Sequence, residues 1–203
     1  MPGLVPPVDG ERANLLGYLA QQRYAIRLTA YGLTDQQARA TPTKSGLSVG
    51  GLLKHVTAME RYWMNEVLQQ KPIVYDQGKY QDDFTLGADE TLAQLLDDSA
   101  RCGRETEAIV AGIDDLGQAV PVPRGVPWFP ADVEAWSARW VLLHVIEELA
   151  RHAGHADIVR EHIDGGTMFP IMAAAEQWPA SPWMQAWEPT GEQVSAGHRQ
   201  QVS

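Results

Sequence analysis

The chain of 203 residues has a single cysteine, Cys102. That excludes an internal disulfide framework and any all-cysteine metal site within one chain. Basic residues are scarce as well, 16 Lys+Arg against 26 Asp+Glu, for a formal charge of −10. A chain so acidic lacks the basic face needed for non-specific nucleic-acid binding or for docking on an anionic membrane. No window holds about 18 uninterrupted apolar residues, so no spanning helix is expected. Met1 to Leu19 also lacks the basic and apolar regions of a signal peptide, which makes the cytoplasm the expected compartment. There is no Gly-rich phosphate loop and no Gly-x-Ser-x-Gly elbow.

What is present is helical periodicity. Leu15, Leu16, Leu19, Tyr24, Ile26 and Leu28 recur at helical spacing between Gly10 and Tyr31. A short helix, capped by Thr34 or Asp35, ends before Pro42. Ser48 is a credible N-cap for a second long helix over Val49–Gln69, with an apolar stripe through Leu52, Val56 and Met59. Gly50 and Gly51 cost helix propensity there and would permit close packing. Thr91 opens a third long helix, to about Ile113. A fourth runs from about Ser137 to Asp164 and is ended by Gly165-Gly166.

Four long amphipathic segments with little strand signal predict an all-α protein, a four-helix bundle over residues 1–166. The connections 71–90 and 114–130 far exceed the usual length of about 2–8 residues, and such loops often shape a pocket. Residues 167–203, with four prolines and three tryptophans, read as a tail that packs on the body or is partly disordered.

The densest set of potential ligands is on the fourth helix. At about 100° per residue, His144, Glu148, His152 and His155 fall within an arc of about 80° at the edge of the apolar face. A carboxylate and a histidine four residues apart are neighbours on one face and can chelate one ion. Glu148/His152 and His144/Glu148 both have that spacing. His55, the one histidine of the second helix, falls within its apolar stripe and should point inward. His55, Glu148 and His152 are therefore the candidate ligands of a divalent metal. Two histidines and one carboxylate leave a coordination position open, the catalytic arrangement for zinc, and nickel or iron would also suit the set. His144 and His155 are candidates for moving protons nearby. The competing reading of each histidine alone is a satisfied core side chain, and of Glu148/His152 a simple hydrogen-bonded pair. Trp128, Trp136, Trp140, Trp178, Trp183 and Trp187 read mostly as core or tail anchors, and Cys102 as a bystander.

The stretch Ser48-Val-Gly-Gly-Leu-Leu-Lys-His55-Val56, followed by Glu60-Arg-Tyr-Trp63, resembles the second helix of the DinB-like (YfiT-like) four-helix metalloproteins. Trp140 to Glu161, which contains His144, Glu148, His152 and His155, resembles their metal-binding last helix. The typical pattern has a histidine four residues before the last ligand. Here that position is Glu148, as in the branch of mycothiol-dependent maleylpyruvate isomerase and the mycothiol S-transferases. The resemblance implies His55, Glu148 and His152 as zinc ligands. It also implies mycothiol or a similar thiol as co-substrate, activated for attack on an electrophile, and a possible homodimer. A tail of about 37 residues, short beside the isomerase's additional domain, favours the transferase. A metal-dependent hydrolase and a non-catalytic, stress-related metal-binding protein are the alternatives.

Overall fold

A computed structural model describes residues 3–72, 78 and 82–189. Tyr75 and Tyr80 of the expected 71–90 loop, and residues 190–203 of the expected tail, lie outside the described residues.

The helices are α1 (Glu11–Thr29), α2 (Asp35–Arg39), α3 (Val49–Tyr62), α4 (Leu92–Ala111), α5 (Ala138–Asp164) and α6 (Met168–Ala175). Their starts follow local chemistry. The hydroxyls of Thr34 and Thr91 each accept a backbone N–H three residues on, while Gln37 and Gln94 reach back, completing two capping boxes. Ser48 and Ser137 cap α3 and α5 in the same way. α5 ends where Gly165 takes φ 75°, a left-handed conformation open to glycine at little cost.

α1, α3, α4 and α5 form the four-helix bundle. α1 lies against α5 and α4, and α3 against α4 and α5. Leu19 and Ile26 of α1, Leu52 and Leu53 of α3, Leu92 of α4, and Leu142 and Leu149 of α5 are fully buried between them. Each such burial stabilises the fold by about 1.5–3 kcal/mol. One polar cluster interrupts this core: Arg23 of α1 donates to both carboxylate oxygens of Glu60 of α3, which also accepts from Thr106 of α4 at 2.5 Å. The three polar groups satisfy one another, which lets a buried charge persist.

α3 does not stop at Tyr62. It runs on as a π-helical turn, Trp63–Leu68, in which the Gln69 N–H donates to the Met64 carbonyl at 3.2 Å, five residues back. The expected helix over 49–69 is thus present, with its last turn widened. Such π turns often mark functional sites.

Two features depart from the sequence expectations. The expected 114–130 connection and the residues after it hold a small antiparallel pair, β1 (Ala119–Pro121) with β2 (Ala135–Ser137). The expected tail begins with α6, because Pro170 falls in the helix's first turn, where a missing N–H costs nothing. Beyond α6, Trp187 packs back onto Tyr31 and over the Arg160 guanidinium. No helix among the described residues is long and apolar enough to cross a membrane.

Candidate metal centre and cavity

His55 projects from α3, and Glu148 and His152 from the facing side of α5. The rings of His55 and His152 meet edge to face, with centroids 4.8 Å apart. His152 Nε2 lies 3.5 Å from Glu148 Oε2, and His144 Nε2 lies 3.8 Å from Glu148 Oε1. Phe84, in the segment before α4, stacks on the His55 ring at 3.7 Å and an interplanar angle of 18°. Burial, and then the neighbouring His152, pushes His55 down to about 4. Burial also lowers His152, while Glu148 pulls the other way. Both imidazoles are therefore neutral at pH 7, the form a metal requires.

The donor set fits a divalent cation. Two tetrahedral ligands about 2.0–2.1 Å from zinc sit about 3.4 Å apart, close to the Glu148–His152 separation. A more compact trio also occurs. Among the described residues, donor atoms of His144, Glu147 and Glu148 lie within 4.8 Å of one another. Those three come from a single helix, and Glu147 is exposed. The His55 set takes donors from two packed helices, as bundle metal sites do. Bringing all three onto one ion takes side-chain rotation from the positions described.

A cavity of about 820 Å³ opens beside these residues and is lined by His55, His144 and Glu148 at one end. The loops 71–90 and 114–136 contribute to its wall, as their length led one to expect. His144 is held between two indoles. Trp63 meets it edge-on at 4.3 Å, and Trp140 lies parallel to it at 5.2 Å. His155 faces elsewhere: its Nε2 is 3.1 Å from Ser45 Oγ in the 41–47 loop, and it does not line the cavity.

Sequence reasoning missed Phe84, which lies in an aperiodic loop. Trp128, Trp136 and Trp140, expected mostly as core or tail anchors, all line the cavity, and Trp136 also packs against the core. A signal for the last two was available. Trp140, His144, Glu148 and His152 are spaced by four along α5, and Trp136 continues that spacing from β2 just ahead of the helix. Arg61 lines the cavity with its guanidinium already on Asp98 at 2.9 Å. Arg151 is exposed.

A family model described as mycothiol-S-transferase matches residues 14–165. The chain belongs to the mycothiol S-transferase family. Among curated proteins, none matches it. The match begins inside α1 and stops at the glycine that ends α5, so both donor helices of this mycothiol S-transferase family member lie within it. Membership supports mycothiol S-transferase-like activity in general, with a small thiol and an electrophile as partners.

Proposed function

We propose that the protein is a metal-dependent thiol transferase that joins mycothiol, or a similar low-molecular-weight thiol, to an electrophile. The observation that carries this reading is the meeting of His55, Glu148 and His152 from two helices, with His55 and Glu148 lining the cavity and burial lowering both imidazoles. These three residues would hold one divalent cation, zinc first by donor chemistry. A cation so held, with one position open, lowers the pKa of a thiol that takes that position and so supplies a thiolate at neutral pH.

The chain's other residues prepare the reaction. Phe84 covers one face of His55 and keeps water from it. His144, beside Glu148 and fixed between Trp63 and Trp140, is placed to receive the thiol proton. His155, bonded to Ser45, positions the 41–47 loop instead of moving a proton. The alternative of a hydrolase uses the same residues but has no need of a large cavity for two co-substrates.

Elemental analysis of tag-free protein, purified without chelators, tests the metal. About one ion per chain is expected, and His152→Ala should lose it while keeping its helical circular dichroism. No metal above background after zinc or nickel reconstitution would overturn the assignment. Incubation with mycothiol and a fluorogenic bimane electrophile should give conjugate that chelation abolishes. Ester turnover without thiol would replace the transferase by a hydrolase. Neither activity, with a large fall in melting temperature on chelation, would mark the metal as structural.

A further inference from the structure

The cavity has two unlike walls. One is aromatic: Trp136 and Trp140 stack in parallel at 4.6 Å and 9°, and Trp140 stacks on His144 with the same 9° tilt. Phe129 buttresses Trp136 edge-on at 5.0 Å. These rings hold one another in place. Yet Trp140 keeps 40% of its surface exposed and Trp128, on the same side, 54%. Large apolar surfaces that stay exposed in a cavity lining mark a binding surface.

The other wall is charged and excess acidic, with Glu66, Asp83, Glu90 and Asp98 against Lys54 and Arg61. Both cations are already engaged: Lys54 Nζ lies 2.8 Å from Glu90 Oε2, and Arg61 donates to Asp98. Among the described residues, the side chains of this wall therefore offer no spare positive charge to an anion.

We propose that the Trp128–Trp140 wall is the electrophile subsite and that it selects flat, uncharged, conjugated electrophiles. This rests on the thiol-transferase reading. The column of parallel rings ends at His144, beside Glu148, so a molecule lying along it brings its electron-poor carbon to the candidate metal centre. With 1-chloro-2,4-dinitrobenzene as electrophile, the thiolate sulfur bonds to the chlorine-bearing carbon. The chloride leaves with the electron pair of the broken bond, and the thiol proton passes to solvent through His144.

The test separates binding from chemistry. Equilibrium dialysis of the purified protein uses 2,4-dinitroaniline, a flat, neutral and unreactive chromophore, with 2,4-dinitrobenzoate as its anionic counterpart. Dinitroaniline should bind, and dinitrobenzoate should bind about tenfold more weakly. Trp140→Leu and Trp128→Ala should each weaken dinitroaniline binding about three- to tenfold. Trp128 is exposed enough that its variant tests the wall even if Trp140→Leu misfolds. Dinitroaniline affinity unmoved in Trp128→Ala, or dinitrobenzoate bound equally well, would overturn the proposal. Binding as expected without thiol conjugation would leave the subsite standing and remove the transferase reading. Conjugation of chlorodinitrobenzene that is no slower in Trp128→Ala, with iodoacetamide served equally well, would do the reverse.

Discussion

The carbonyl oxygen of Phe84 lies 2.0 Å from the point that a β-carbon on Gly51 would occupy. Glycine in the first turn of α3 is therefore what lets the loop backbone lie on the helix, and that approach sets the Phe84 ring on His55. Gly51→Ala should destabilise the protein by about 2 kcal/mol, although alanine is the better helix former. Gly154, in the middle of α5, has nothing within 4 Å of its own β-carbon position. Gly154→Ala should stabilise the fold by up to about 1 kcal/mol. Denaturant unfolding measures both, and a Gly51→Ala protein as stable as the parent would contradict the close approach.

The helix starts were legible because capping is local. Thr34, Ser48, Thr91 and Ser137 each bond a backbone N–H within their own first turn, and the sequence displays the whole motif. The Glu148/His152 pair was legible for the same reason, since four residues on one helix make neighbours. Contacts set by the loops were not. Phe84 reaches His55 from an aperiodic segment, and three-residue strands such as β1 and β2 carry no detectable alternation. α6 was hidden by Pro170, which reads as a breaker unless the helix start is already known. The aromatic ladder could have been read from its spacing. Hydrophobicity alone does not tell a cavity wall from a core.

Asp157 on α5 gives the protein a pH dependence of definite sign. Burial, and then the neighbouring Glu161, pushes its carboxyl up from 3.8 to about 6. The folded chain thus holds this proton more tightly than the unfolded chain does. The associated stability is complete below about pH 3.8 and is lost as the pH rises through about 6. Asp157→Asn should therefore be more stable than the parent at about pH 7.5, by about 1 kcal/mol once solvent screening of a partly exposed group is allowed for. The difference should vanish near pH 4. Melting curves across that range decide the point, and a constant offset at every pH would mean that the carboxyl does not titrate as described.

Arg160 closes the far end of the bundle. It is fully buried, with Nε 2.8 Å from Asp164 Oδ1 and one terminal nitrogen shared between the carbonyls of Thr29 and Tyr31. Trp187 covers it, its ring centre 4.7 Å from the guanidinium carbon. A lysine cannot fork between two carbonyls and a carboxylate at once. Arg160→Lys should cost about 3 kcal/mol, and Arg160→Met about as much, because it leaves the Asp164 carboxylate buried and unpaired. Adding Asp164→Leu to Arg160→Met should recover part of that loss. Urea unfolding of Arg160→Met, Asp164→Leu and their combination measures the coupling, and additive effects would show that the pair does not act as a unit.

Cys102 sits on the inner side of α4, its Sγ 3.6 Å from the Thr57 carbonyl, and is almost wholly buried. Burial, and then the Glu60 carboxylate, pushes the thiol up to about 12. Since the thiolate is the reactive form, the native thiol at pH 8 is ionised in only about one molecule in ten thousand. It should stay unmodified by iodoacetamide until denaturant opens the core, and mass spectrometry of the labelled protein reads this directly. Cys102→Ala should lose about 1 kcal/mol of stability from the small cavity it leaves, with thiol conjugation unchanged. With its one cysteine buried and largely protonated, a transferase built on this sequence would take its reactive sulfur from an imported thiol. A Cys102→Ala protein that stays folded but loses conjugation would place the sulfur inside the chain and remove the imported thiol from the mechanism.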